Sequence, residues 1–152
     1  METLESKVVG RRQAGRARVV FFAVLGCYLV SFVLPTINAG NQVESHFKIG
    51  DAVVGWGVFW QVLLNLPFSI PYLAAWLANP VLWFGLHSLS MGRWGRARVA
   101  AWLSVALALT ALWAASNDAH WLTILFGYYV WLLAMVLFVV GSEVVISSAR
   151  GE

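Results

Sequence analysis

Residues 52–92, AVVGWGVFWQVLLNLPFSIPYLAAWLANPVLWFGLHSLSMG, contain no charged side chain and decide the topology of this chain. At a rise of about 1.5 Å per residue, a helical stretch of this length crosses a membrane either once or twice. The number of crossings sets the side of the membrane on which every later segment lies. The basic residues that flank the stretch distinguish the two possibilities.

Arginines flank the apolar tracts and are interpreted as topology signals, because short loops rich in lysine and arginine stay in the cytoplasm. These residues are Arg11, Arg12, Arg16, Arg18, Arg93, Arg96 and Arg98. If residues 1–18 are cytoplasmic, one crossing between residues 52 and 92 keeps all of them on that side, whereas two crossings would move the last three outside. We therefore predict one crossing here and a cytoplasmic location for both termini.

The composition indicates an integral membrane protein. Hydrophobic residues make up 61% of the 152 residues and charged residues 11%, whereas soluble domains have about 25% charged residues. We predict an all-α, polytopic membrane helix bundle. Its four transmembrane helices are expected at about residues 19–37, 70–90, 99–115 and 121–146, between a basic N-terminal segment at 1–18 and a polar tail at 147–152. A secretory signal peptide is the alternative for the first tract, but its apolar core is long for one and we expect a retained helix.

Residues 52–66 are predicted to form a short amphipathic helix that does not cross the membrane. Their large apolar residues lie on one stripe at helical spacing, and Pro67 ends the pattern. Such a helix spans about 22 Å, which is short for a crossing. We expect it to lie in the outer interface with its tryptophans at headgroup depth, and a re-entrant half-helix is the alternative.

Small residues follow two faces of the third predicted transmembrane helix at a spacing of four. One row is Ala100, Ser104 and Ala108, and the other is Ala106, Thr110 and Ala114. Small side chains let helix backbones approach closely, which is how helices associate in lipid. We expect these rows to mediate helix packing and the third helix to be the most enclosed.

Two ionisable residues, His87 and Glu143, are expected at similar depth near the cytoplasmic interface. If the second and fourth helices are neighbours, the two side chains would pair with each other or bond the arginines at positions 93–98. A structural ion pair is one interpretation of these residues. A proton-responsive site is the other, because histidine titrates near neutral pH.

The Asn79-Pro80 step falls near the middle of the second predicted transmembrane helix and predicts a kink, because Pro80 cannot donate to the carbonyl of Trp76. With Gln61 and Asn65, Asn79 would line a polar pathway like those at the broken helices of transporters. The alternative is a structural kink whose freed carbonyl bonds to a neighbouring group.

The sequence has no motif that indicates catalysis, a metal or a cofactor. A nucleophile elbow, a phosphate-binding glycine loop and a His-Glu-x-x-His zinc motif are all absent from it. His46 and His120 fall in separate predicted loops without ligand spacing, and the single cysteine, Cys27, excludes an intrachain disulfide. We therefore predict no catalytic residue, no metal site, no cofactor and no nucleic-acid partner.

Three short tracts resemble segments of small bacterial four-helix inner-membrane proteins. They are residues 76–80 (WLANP), 92–94 (GRW) and 127–131 (GYYVW). The resemblance covers residues 70–141 and implies four spans in a bacterial inner membrane. It brings no activity and no functional residues.

Three functions are compatible with these features. The leading hypothesis is a non-catalytic membrane protein that binds another membrane protein, or a second copy of itself, in the bilayer. It would act as an accessory subunit, an assembly factor or an immunity-type protein. The alternatives are a small oligomeric transporter or channel component that uses Asn79, and a membrane enzyme that uses His87 and Glu143.

Overall fold

A computed structural model describes residues 4–38, 48–49, 52–55, 57, 70–117, 123–124 and 126–150 of the chain. Within these residues there are four long helices: α1 (Leu4–Val33), α2 (Ile70–Ser90), α3 (Trp94–Asn117) and α4 (Phe126–Arg150). There are also four short strands: β1 (Pro35–Asn38), β2 (Lys48–Ile49), β3 (Ala52–Val54) and β4 (Thr123–Ile124). The fold is a helical bundle with a small sheet at one end.

The connection between α2 and α3 is a tight turn built on Gly92, whose backbone φ is 70°. The Gly92 amide donates to the carbonyl of Leu89 at 3.1 Å, and the Arg93 amide donates to the carbonyl of Ser88 at 2.9 Å. This pair of hydrogen bonds is a Schellman motif, in which glycine adopts the left-handed conformation that a side chain disfavours. The turn sends α3 back along α2.

The bundle is built from two closely packed pairs of helices, α2 with α3 and α1 with α4, and α3 and α4 form the largest contact between the pairs. Glycines allow the helices to approach closely. A Cβ at Gly85 would overlap Phe138 and Ala100, and a Cβ at Gly141 would overlap Val20. The fully buried apolar residues between the helices include Val24, Leu82, Leu86, Ala101, Met135 and Phe138.

The strands form an antiparallel sheet in the order β2-β3-β1-β4. Ile37 of β1 pairs with Val53 of β3 on one side and with Ile124 of β4 on the other. Because β1 follows the end of α1 and β4 precedes the start of α4, the sheet lies where these two helices meet. Gly127 in the first turn of α4 packs against the backbone of Pro35, where a Cβ would overlap the carbonyl oxygen.

The bounds of α2 are confirmed, and those of α1 differ from the prediction. α2 spans Ile70–Ser90. α1 begins at Leu4 rather than at residue 19, because the basic segment contains no proline that would stop a helix. It ends at Val33 rather than at residue 37, because Pro35 disfavours the helical conformation of the residue before it.

The predicted starts of α3 and α4 are also wrong. α3 begins at Trp94 rather than at residue 99, because the Gly92 turn is compact, so Arg96 and Arg98 lie in its first turns instead of in a loop. α4 spans Phe126–Arg150 rather than residues 121–146, because residues 123–124 pair with β1 as a strand. The expectation that the third helix is the most enclosed is wrong as well, since the apolar stretch of α4 has the larger buried share.

The predicted helix at residues 52–66 is wrong over its first residues. Ala52–Val54 form β3, because the β-branched Val53 and Val54 favour an extended strand that pairs with β1. The Gly55 amide then donates to the carbonyl of Leu34 at 3.1 Å. Residue 56 and residues 58–66 lie outside the described residues, so their interfacial or re-entrant placement stays a prediction.

Three helices in the described part of the chain are long and apolar enough to cross a membrane. These stretches are Gln13–Val33 in α1, Trp94–Trp113 in α3 and Phe126–Ser148 in α4. α2, the other predicted span, is not among them. It carries Asn79, Pro80 and His87 within an otherwise apolar sequence.

The exterior of the bundle is apolar. Large hydrophobic side chains are exposed on all four helices, for example Phe22, Phe84, Leu103 and Val140. A water-soluble helix keeps such residues on its inner face and polar residues outside. The exposed apolar surface is therefore compatible with contact to a lipid bilayer.

Candidate functional site: a polar cluster around Asn79

The Asn79-Pro80 step lies in the middle of α2, where Pro80 has no amide hydrogen to donate to the carbonyl of Trp76. The Asn79 side chain takes the place of that donor, because its Nδ2 donates to the Trp76 carbonyl oxygen at 2.9 Å. Asn79 is buried, with 8% of its surface exposed. The carbonyl freed by the proline is thus satisfied by the residue that precedes it.

The amide oxygen of Asn79 connects α2 to two other helices. The Tyr28 hydroxyl on α1 donates to Asn79 Oδ1 at 3.0 Å, and the Trp131 indole N–H on α4 donates to the same oxygen at 2.9 Å. Two donors occupy both lone pairs of this oxygen. We call Tyr28, Asn79, Trp131 and the Trp76 carbonyl the Asn79 cluster.

Aromatic rings enclose the cluster and extend it to the remaining helix. The ring of Tyr28 meets that of Trp83 edge to face, with a centroid distance of 5.7 Å. Tyr128 lies beside Trp131 with a centroid distance of 5.4 Å, and its hydroxyl donates to the carbonyl of Ala108 in α3 at 2.7 Å. Polar side chains on α1, α2 and α4 therefore connect all four helices.

The side chains of the Asn79 cluster are neutral hydrogen-bonding groups. Hydrogen bonds between helices in lipid contribute roughly 0.6–2 kcal/mol each, and burying the same groups without partners would be costly. The arrangement is suited to fixing the rotation and depth of three helices. It does not supply a charged group for proton transfer near neutral pH.

At the end of the bundle away from the sheet, Glu143 of α4 forms an ion pair with Arg98 of α3, with Arg98 Nε 2.6 Å from Glu143 Oε1. The Trp102 indole N–H donates to the same oxygen at 3.2 Å. The Arg98 and Glu143 side chains are 44% and 37% exposed, and an exposed pair adds little stability. His87 is an exposed residue in the last turn of α2. Glu143 is expected from the sequence to pair with His87 or with an arginine of residues 93–98, and the structure pairs it with Arg98.

The two rows of small residues on α3 face different directions. The first row lies inside the bundle, with exposed fractions of 4%, 0% and 0% for Ala100, Ser104 and Ala108. In the second row Ala106 is exposed and Thr110 is half-buried, whereas the side chain of Ala114 lies outside the described part. The first row packs α3 into the bundle, and the second row begins on its outer surface.

The arginines whose side chains are described are exposed and gather at one end of the bundle. They are Arg16 and Arg18 on α1 and Arg93, Arg96 and Arg98 at the start of α3. The first half of α1 meets the last part of α4 at Val20 and Gly141, and Arg98 meets that part at Glu143. The arginines of α1 and those near the start of α3 therefore lie at the same end of the bundle.

Four other predicted residues have no described side chain. Arg11 and Arg12 lie in α1, but their side chains fall outside the described part. Gln61 and Asn65 lie wholly outside the described residues. Their role in a polar pathway beside Asn79 stays a prediction.

Tyr28 and Trp131 donate to Asn79 in the structure and are not predicted as its partners from the sequence. A signal for them existed, because an asparagine within an apolar helix requires polar partners at the same depth. Tyr28 lies near the C-terminal end of α1 and Trp131 near the N-terminal start of α4, so antiparallel packing brings them to one level. The rotation of each helix, which decides whether they face Asn79, is set by packing rather than by local sequence.

No group of three or more His, Cys, Asp or Glu side chains that could hold a metal occurs within the described residues. Cys27 is a free, half-buried thiol on α1. Comparison of the chain with protein-family models, with curated proteins and with solved structures finds no match.

Proposed function

We propose that this chain is a non-catalytic integral membrane protein that binds another membrane protein within the bilayer. It would serve as an accessory subunit, an assembly factor or an immunity-type protein. The observation that carries the proposal is how polar and apolar side chains are divided in the described bundle. Buried polar side chains bond to other groups of the same chain, whereas the outer surface presents large apolar side chains.

The buried polar side chains form bonds within the fold. Asn79 binds donors from α1 and α4 and donates to its own helix. The hydroxyls of Ser31, Ser104 and Ser142 each donate to a carbonyl three residues earlier in the same helix. Since these groups stabilise the bundle, the apolar exterior is the part that is left to recognise a partner.

One side of α3 has the features of a contact for another helix. Trp102, Leu109 and Trp113 are 55%, 44% and 64% exposed, and Ala106 lies exposed between them at helical spacing. We call these four residues the α3 outer face. Because Ala106 is small and its neighbours are bulky, we expect a depression at this position into which a side chain of an apolar partner helix would pack.

The proposed arrangement has four spans in a bacterial inner membrane, with both termini in the cytoplasm. α2 supports the fourth span, because it runs antiparallel to α3 and its 21 residues make about 31 Å of helix, close to the thickness of the hydrocarbon. The bonds that Asn79 makes inside the bundle lower the cost of placing it there. The gathering of exposed arginines at one end supports the orientation.

Photo-crosslinking in native membranes tests the proposed partner. A photoreactive residue at position 109 or 113 is expected to give an adduct with one distinct membrane protein, whereas the same residue at the exposed position 140 on α4 is the control for random collisions. An adduct of twice the chain mass would identify a second copy as the partner. The proposal fails if neither position yields a protein adduct above that control.

Substitution of Ala106 provides a sharper test. Ala106→Leu fills the depression and is expected to reduce the adduct yield about fivefold or more, because close helix approach depends on small residues. Its thermal stability should match that of the original chain, since position 106 is exposed. The matched control is Ala108→Leu, a fully buried position, which should destabilise the bundle by about 1–3 kcal/mol through overpacking. An unchanged adduct yield in Ala106→Leu would remove the α3 outer face as the contact.

A further inference from the structure

A groove with a volume of about 530 Å³ lies on the surface of the bundle between α2 and α3. Its apolar walls include Phe84 from α2 and Val99 and Leu103 from α3, and Arg96 lines the end near the turn. We call this feature the α2–α3 groove. The three apolar side chains are 55%, 67% and 47% exposed, so the groove opens to the surroundings of the bundle.

The groove is charged at one end only. Among the described residues, Arg96 makes no hydrogen bond or ion pair with another side chain. Among the described side chains, the other charged or titratable groups near this end are Arg93 in the turn, His87 on the last turn of α2, Arg98, whose charge is balanced by Glu143, and, on α1, Arg16 and Arg18. The local charge is therefore positive and lies at the end where the arginines gather.

Space for a ligand group lies next to Arg96. Gly95 lines the groove beside it, and a Cβ at Gly95 would have no atom within 4 Å. The open space at Gly95 therefore adjoins the residue that carries the positive charge at this end of the groove. Arginine binds phosphate well, because the N–H groups of its planar guanidinium can donate to two phosphate oxygens at once.

We propose that the α2–α3 groove binds an anionic phospholipid, with an acyl chain against its apolar walls and the phosphate on Arg96. A phospholipid joins one anionic group to a hydrocarbon chain, which matches the polarity of the groove, and basic pockets between membrane helices bind such headgroups. A partner helix would instead set an apolar surface against Arg96. The inference rests on the membrane placement in the proposed function but not on the proposed protein partner, because the α3 outer face uses other residues.

Native mass spectrometry of the full chain, released from micelles that contain phosphatidylglycerol and phosphatidylcholine with identical acyl chains, tests the inference. The expected result is about fivefold stronger retention of phosphatidylglycerol, the contribution of one arginine near an anionic headgroup. Arg96→Gln should abolish this preference. Arg16→Gln, which removes an exposed arginine on α1, should keep it, and Gly95→Leu should reduce retention of both lipids by filling the groove.

Several results would overturn the inference. Equal retention of the two lipids, or equal loss of preference in Arg96→Gln and Arg16→Gln, would show that the charge acts without a defined site. A Gly95→Leu chain that loses a dimer peak but keeps its lipid would assign the groove to a second copy. Inorganic phosphate alone should not be retained, and retention at the level of the lipid would assign Arg96 to a free anion.

The failure of this inference is distinguishable from failure of the proposed membrane arrangement. If an externally added reagent labels a cysteine placed at position 95, the orientation is wrong and the groove end does not face the cytoplasm. If the labelling is cytoplasmic and phosphatidylglycerol is not preferred, the lipid site alone is refuted.

Discussion

Asn79 supplies through its side chain the hydrogen bond that the backbone at Pro80 cannot make. The sequence predicts the kink and the freed Trp76 carbonyl, because both follow from proline chemistry. It does not predict that Tyr28 and Trp131 donate to the Asn79 oxygen, because those bonds depend on how α1 and α4 are rotated. Local chemistry could thus be predicted from the sequence, and the contacts between helices could not.

Replacing Asn79 is expected to weaken the bundle. Asn79→Leu removes three hydrogen bonds and leaves Tyr28 and Trp131 with unpaired donors, so the free energy of unfolding should fall by about 2–3 kcal/mol. Unfolding by a denaturing detergent, followed by circular dichroism in micelles, measures the change. Ser90→Ala, which removes an exposed hydroxyl bonded to the His87 carbonyl, is the control and should change stability by less than about 0.5 kcal/mol.

A second substitution at the same step separates the two roles of Asn79, which are to donate to the Trp76 carbonyl and to accept from Tyr28 and Trp131. Pro80→Ala in the Asn79→Leu background restores an amide that donates to the Trp76 carbonyl, and about 1 kcal/mol of stability should return. No recovery would mean that the Trp76 carbonyl is satisfied in another way. A stable Asn79→Leu chain that loses a solute flux in liposomes would instead favour the polar-pathway interpretation.

The turn at Gly92 determines where α2 ends and α3 begins. Glycine near the end of an apolar helical pattern is a strong signal for a C-terminus, and with Pro71 in the first turn it is the reason that the bounds of α2 could be predicted. Arg96 and Arg98 are nevertheless predicted as loop residues, because a run of arginine and glycine resembles a polar connection. The Schellman motif shortens that connection and leaves both arginines on α3.

Gly92 is expected to be sensitive to a side chain, and Gly95 is not. Gly92→Ala places a Cβ on a residue with φ of 70° and should cost about 1–2 kcal/mol. Gly95→Ala lies in a helix with open space around it and should be neutral or stabilise by about 0.5 kcal/mol. Melting temperatures of the two variants in the same detergent measure the difference. Equal melting temperatures would contradict the left-handed conformation assigned to Gly92.

The four strands could not be predicted from the sequence. β2 and β4 have two residues each, and β4 pairs with a strand from the other end of the chain. Such short strands have no alternating pattern that a sequence can show, and their pairing is set by where α1 and α4 bring the backbone. For the same reason the sequence predicts Thr123 and Ile124 as part of the start of the last helix.

The bundle combines an apolar exterior with arginines at one end. The sequence predicts both features from composition and from charge placement, because they depend on the whole chain rather than on any single contact. The three helices that are apolar and long enough to cross a membrane require the connections between them to lie on defined sides. The sidedness can therefore be tested at two positions.

Cysteine labelling in spheroplasts is expected to show opposite sides for the two ends of the bundle. In a Cys27→Ser background, His46→Cys should react with a membrane-impermeant maleimide added from outside. Gly95→Cys, at an exposed position near the arginines, should react only after the membrane is permeabilised. The basis is that arginine-rich connections stay in the cytoplasm. External labelling of position 95 would refute the orientation, and a chain that is soluble without detergent would refute the membrane placement itself.

The pairing of α1 with α4 has a consequence for biosynthesis. α1 leaves the ribosome first, but its main neighbour is the last helix to be made, and β1 likewise waits for β4. The α2–α3 hairpin is complete well before that moment. For most of translation the first helix therefore lacks its main packing partner. The bond between Tyr28 and Asn79 can form earlier, but the cluster and the bundle are completed only when the final segment brings Trp131.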